Sequence, residues 1–355
     1  MVENFMESSN VAKVSRTISY FGAFLMMVSP LTSHAHAATV GAAGTLVVIV
    51  KSSKSLALVN PASATVIANI SENAPAKDTG HEVATSPDGR FAYVPIYGNS
   101  GVGKPGTDGS NMVVMDLSTR AIVGNLDFGH PVRPHLPVFG KDGMLYVTNE
   151  LDHAIAVVDP NPTAPKVVGA IPTGEAESHM LALSHDGKYG YTANVGSGTV
   201  SVLDIKARKL LTVIPVCSEA QRISVAMDDS MAFTSDQKKP ELVVIDTASR
   251  KVKARIPLPG IGYGSAPSTD GHWLFVTLPD VNKVAVVDLK AMKVAHTIDV
   301  GASPQVVVIE PGGKTAYVSC MSAGEVDELD LGNWTVKRKI DTGKGTDGMA
   351  WARGQ

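Results

Sequence analysis

The stretch Gly174–Asp204, GEAESHMLALSHDGKYGYTANVGSGTVSVLD, decides the fold. A short apolar run, His179 to Leu183, stops at the turn signal His185-Asp186-Gly187. An alternating segment follows from Tyr189 to Asn194, and a Gly-rich connection, Val195 to Gly198, leads to a third short run ending on Asp204. Alternation broken by such turns predicts three antiparallel strands in a meander. The pattern returns along the chain, marked each time by the polar residue that closes the third strand: Asn60, Asp116, Asp159, Asp204, Asp246, Asp288 and Asp330. The intervals are 56, 43, 45, 42, 42 and 42 residues, and the insertion Gly98–Ser110 (GNSGVGKPGTDGS) accounts for the long first one. Seven units with room for four short strands each, and no helical periodicity, predict an all-β, seven-bladed β-propeller of four-stranded antiparallel blades.

The two ends of the chain complete the count. Thr45 to Lys51, Ser55 to Asn60 and Thr65 to Ile70 read as three strands with no innermost strand before them, and Gly348 to Ala352 reads as one strand with nothing after it. Together they predict a closing blade shared by the two ends, since closure removes open sheet edges.

The segments GRFAYVPIYGN, GMLYVTNELDHAIAVVD, KYGYTANVGSGTVSVLD and KTAYVSCMSAGEVDELD resemble the YVTN-type repeat of seven-bladed bacterial propellers. That family includes lactonase-like hydrolases, surface-layer proteins and relatives of the cytochrome d1 domain. The resemblance covers nearly the whole chain after residue 37 and implies the fold; it names no reaction, because one fold hosts many functions.

Residues 1–37 read as a signal peptide. Lys13 and Arg16 precede an apolar run from Ile18 to Val28, and Ala35-His36-Ala37 supplies an A-x-A cleavage site. The run is too short to span a bilayer, which takes about 20 residues. Cleavage after Ala37 is expected to leave residues 38–355 as one propeller domain, periplasmic or secreted, with no transmembrane segment. A monomer is expected. The net charge of −3 gives no sign of a nucleic-acid partner. The basic clusters Lys206-Arg208-Lys209, Arg250-Lys251-Lys253-Arg255 and Lys337-Arg338-Lys339 each follow a strand-closing Asp. That position suits edge protection on outermost strands. The two cysteines, Cys217 and Cys320, are expected to be unbridged because their blades are two apart. No C-x-x-C-H is present, so no covalent haem is expected.

The turns Ser86-Pro87-Asp88-Gly89, Lys141-Asp142-Gly143, His185-Asp186-Gly187 and Thr269-Asp270-Gly271 follow innermost strands, and turn geometry alone explains them. Counting seven residues back from each turn Asp, or its equivalent, reaches His81, His135, His179, Arg222, Tyr263 and Gln305. Asp347 is the seventh, aligned through Gly343 as Gln305 is through Gly301. One polar residue per blade is therefore expected at one mouth of the central channel. Three adjacent histidines suit a divalent metal or an anionic ligand, so His81, His135 and His179 are candidate metal ligands. Arg222, Tyr263, Gln305, Asp347 and His153 are candidate contacts to a small-molecule ligand. Glu82 and Asp347 are candidate bases for metal-assisted lactone or ester hydrolysis, or for a lyase reaction. The Gly98–Ser110 loop is expected to cover the histidines as a lid. Two alternatives stand beside these readings: a polar mouth filled by ordered water, and a non-catalytic binding or assembly protein of the cell envelope.

Overall fold

The Asp that closes each third strand does so with its side chain. Asp116 Oδ1 accepts the backbone N–H groups of Ser118 and Thr119 at 2.9 and 3.0 Å. Asp288 Oδ1 does the same for Lys290 and Ala291 at 2.9 and 2.8 Å, and Asp330 Oδ1 for Gly332 and Asn333 at 2.8 and 3.2 Å. A short carboxylate that folds back on the next two or three N–H groups pins the turn into the outermost strand. The residue before that strand then adopts a left-handed conformation, as at Arg120, Arg208, Arg250, Met292 and Trp334. This is why one residue type recurs where everything around it varies.

A computed structural model describes residues 44–354 apart from Ala76 and Gly103; the leader expected over residues 1–37 lies outside the described residues. The strands form seven antiparallel sheets. Blade one joins the two ends of the chain: Thr346–Ala352 pairs with Thr45–Val50, which is followed by Ser55–Asn60 and Thr65–Ser71. In blade two the innermost strand is split into Thr79–Gly80 and Ala84–Thr85, both paired with Phe91–Gly98. Blades three to seven run outward in chain order from Pro134–Phe139, Ser178–Leu183, Ala220–Val225, Ser265–Pro267 and Pro304–Ile309. The third strands end on the seven polar residues expected, Asn60 through Asp330. Glu150–Asp152, a single 3-10 turn in blade three, is the one helical element among the described residues. No described helix is long and apolar enough to cross a membrane.

The core lies between neighbouring blades. Met180, Tyr191, Val200 and Val202 of blade four meet Ile223, Val225, Val243 and Ile245 of blade five, all buried. The outermost strands of blades five and seven alternate between exposed and half-buried positions over most of their length. Their cations sit beside acids of the third strand: Arg255 on Glu241 at 2.6 Å, Arg338 on Glu328 at 2.7 Å and Lys339 on Glu325 at 2.7 Å. Both cysteines are free, and burial pushes the Cys217 thiol up to about 12.

Candidate functional site

The innermost strands do not run straight to the mouth of the channel. In blades one, three, four, five and seven their pairing with the second strand slips by a residue, and the slip contains Asp347, His135, His179, Arg222 and Gln305 respectively. His81 lies in the gap between the two pieces of the blade-two strand, and Tyr263 stands just before the short strand of blade six. A bulge breaks the ladder and re-aims the extra residue, here toward the axis.

A bulge leaves backbone groups unpaired, and a hydroxyl on the second strand takes them up. Thr148 Oγ1 accepts Leu136 N–H at 2.9 Å and donates to His179 O of the next blade at 3.0 Å. Thr277 Oγ1 accepts Gly264 N–H at 2.8 Å and donates to Gln305 O of the next blade at 2.9 Å. Ser319 Oγ accepts Val306 N–H at 3.0 Å, and Thr234 Oγ1 donates to Arg222 O at 2.6 Å. Such hydroxyls on the second strand, of which Thr148 is the T of the stretch YVTN, hold the bulges of their own blades and, at Thr148 and Thr277, that of the next blade. At the closing blade the backbones come closer still: Gly348 N donates to His81 O at 2.9 Å, and a Cβ on Gly348 would lie 2.3 Å from that oxygen.

All seven register residues line a single cavity of about 330 Å³, together with Lys51, Tyr97, Glu219, Gln221, Val195 and Met321. Gly101, Val102 and Lys104 of the insertion line it as well. The insertion is shorter as a loop than the sequence suggests, because strands run through Gly98 and resume at Asp108. It is strapped by Asn99 N and Ser100 N, both bonded to Thr107 O.

The histidine side is a packed aromatic cluster. His81 stacks on Tyr97 with centroids 4.4 Å apart, and His135 lies 3.9 Å from His179 at an interplanar angle of 31°. Burial, and then the nearby cations and imidazoles, hold His81 and His135 well below the usual imidazole range, so both are neutral bases at pH 7. His135 Nδ1 is closed off from solvent and has no protein partner. His179 Nδ1 lies 2.5 Å from Glu150 Oε1. Glu150 Oε2 accepts Tyr97 OH at 3.0 Å and stands 3.5 Å from Arg133 Nη1. Arg133 in turn clamps Asp108 at the foot of the loop, at 2.9 Å through Nε and 2.8 Å through Nη2.

The opposite side carries the charges. Arg222, 6% exposed, pairs with Glu82 at 2.7 Å, stands 4.0 Å from Asp347 and lies over the Tyr263 ring at 4.6 Å. Lys51 pairs with Asp347 at 3.1 Å. Burial pushes the Glu82 carboxyl up, opposed by Arg222. Gln221 Nε2 donates to Tyr263 OH at 3.2 Å.

Three sequence expectations change here. His153 does not line the cavity: it caps the 3-10 turn in a left-handed conformation, φ 52°, and is exposed. The residue of that loop that turns inward is Glu150, with a fully buried side chain. Glu82 is buried behind Arg222 as its ion partner and is not among the lining residues. The three histidines share the cavity, but their rings lie face to face or edge to face, and Glu150 occupies one nitrogen of His179. Among the described residues no three His, Cys, Asp or Glu side chains form a group able to hold a metal ion. The donor set as packed does not fit a metal.

The fold and the site define a seven-bladed propeller with a polar pocket at the mouth of its channel. No family model matches the chain, and no curated protein matches it. Solved structures do. The chain is similar to the periplasmic gluconolactonase of Pseudomonas aeruginosa, at 16% identity over 88% of this chain and 99% of that one, with a TM-score of 0.68. It is similar to the hydrazine synthase of Kuenenia stuttgartiensis, at 20% identity over 79% and 90%, TM-score 0.66. A dihydro-heme d1 dehydrogenase solved in complex with DHE matches at 13% identity over 88% and 76%, TM-score 0.65. At these identities the likeness shows the fold.

Proposed function

We propose that this propeller binds a small hydroxylated anion, of the sugar-acid or sugar-lactone class, at the mouth of its channel and opens the lactone. The observation that carries the reading is the cavity itself. Seven blades each contribute a polar residue to one space, where Lys104 is joined by Lys51 and Arg222, each paired with a carboxylate, and by neutral imidazoles. The apolar lining is limited to Val102, Val195 and Met321. A ligand of many hydroxyls satisfies such walls, because each buried donor or acceptor left unpaired costs about 1–3 kcal/mol. Likeness to a gluconolactonase supports the same class. Export to the periplasm is part of the reading: the leader-like residues Met1–Ala37 and the likeness to a periplasmic protein favour it.

Titration calorimetry with gluconate and a pH-stat assay with glucono-δ-lactone test the reading together. Saturable gluconate binding and lactone opening above the uncatalysed rate are expected. Gluconate binding without turnover supports the non-catalytic envelope protein instead, and absence of both defeats the ligand class.

A further inference from the structure

We propose that His179 is the general base of this site and that Glu150 is the residue that positions it, an assignment that rests on the lactone-opening reading. Glu150 is enclosed by the fold, with a side chain 0% exposed, on the single helical turn of blade three. Its Oε1 lies 2.5 Å from His179 Nδ1, and its Oε2 accepts Tyr97 OH at 3.0 Å beside Arg133 at 3.5 Å. Oε2 is taken up as an acceptor by the phenol and stands beside the guanidinium, so the carboxyl is set as an acceptor toward both of its neighbours. The imidazole nitrogen against Oε1 is then the donor of that hydrogen bond. With Nδ1 bearing the hydrogen, the neutral form of the ring keeps its lone pair on Nε2, in a residue that lines the cavity.

The other two histidines lack this arrangement. No carboxylate bonds to His81 or His135 among the described residues, and burial beside cations makes both weak bases. The His179 carbonyl is also fixed, by Thr148 Oγ1 at 3.0 Å, and its ring is flanked by His135 at 3.9 Å.

The chemistry balances without another reactant. Nε2 takes a proton from water as the water oxygen bonds to the lactone carbonyl carbon. The negative charge that develops on the carbonyl oxygen is met by the cationic side of the cavity, where Lys51 and Arg222 stand. The bond from that carbon to the ring oxygen then breaks, and the ring oxygen leaves with the proton that Nε2 returns. The product is the open hydroxy acid, and nothing is oxidised or reduced.

Two measurements test this. In protein labelled with 15N-histidine, His179 should show the Nδ1–H tautomer at pH 7, and Glu150→Gln should lower that population, because an amide can donate to Nδ1. In the pH-stat assay His179→Gln should lose about 10²–10⁴ in kcat for glucono-δ-lactone, the range for removing a general base. An Nε2–H tautomer in the wild type overturns the assignment, whether or not Glu150→Gln folds. Opening by His179→Gln at the wild-type rate overturns the base and leaves the site's function standing. A wild type that opens no lactone defeats the functional reading and this assignment with it.

Discussion

His135→Gln isolates the cost of holding a neutral imidazole inside the cluster. His135 is 2% exposed, its Nδ1 has no protein partner, and burial followed by its cationic and imidazole neighbours depresses its pKa well below 6.5. In the unfolded chain the same group titrates near 6.5. Below that pH the unfolded state binds the proton and the folded state does not, so the stability present above pH 6.5 is lost as the pH falls. For one imidazole that stays neutral when folded, the loss between pH 7.5 and 5.5 integrates to about 1.4 kcal/mol. Glu72, Glu82 and Asp327 have raised pKa values and act in the opposite sense. They are present in both proteins and cancel in the difference. Urea unfolding followed by the fluorescence of Trp273, Trp334 and Trp351 across this range is the assay. The wild type should lose about 1.4 kcal/mol more than His135→Gln over those two pH units. Parallel curves would mean that His135 takes up its proton in the folded protein, and the neutral cluster would have to be abandoned.

Thr148→Val removes the hydroxyl that serves Leu136 N–H and His179 O; at about 1–3 kcal/mol for each buried group left unpaired, the urea midpoint should fall clearly, and an unchanged midpoint would refute the bridging role. Deleting residues 346–355 removes the strand paired with Thr45–Val50 and exposes a fully buried edge. The truncated chain should lose its cooperative transition in near-UV circular dichroism and run as aggregate on gel filtration; a compact monomer with the parent's melting temperature would show that the latch does not hold the ring.

The blade count was legible because two turns of strict chemistry recur: six third strands close on an Asp, and one on Asn60, whose side chain folds back on the next N–H groups, and in four blades an Asp-Gly turn needs a left-handed glycine, at Gly89, Gly143, Gly187 and Gly271. The seven-residue count from turn to mouth worked because the innermost strand crosses the same thickness of disc in every blade, even where its pairing is broken at His81. What escaped the sequence is what depends on side-chain direction. Glu150 and His153 are three residues apart in one loop, and only the 3-10 turn decides that the acid points inward and the imidazole outward. Tyr97 was missed because the blade-two insertion lengthens the strand past the repeat, carrying an aromatic ring up to the histidines. The serine and threonine hydroxyls of the second strands carried no such signal, because their use appears only once the bulges are known.

The cavity is polar on all sides, yet its two sides do different work. Arg222 and Lys51 are matched by Glu82 and Asp347, so the pocket does not carry a large uncompensated charge into the fold. The same cations, added to burial, keep His81 and His135 unprotonated. A ligand with a carboxylate would add a negative charge beside these imidazoles and make their protonation easier, so its binding should take up protons as the pH drops below neutral. His179 differs in having a carboxylate of its own, since Glu150 holds its Nδ1 from behind, enclosed by Tyr97 and Arg133. One histidine of three is thereby set apart by a residue outside the repeat register. This is how a ring of seven similar blades can come to hold a directional site.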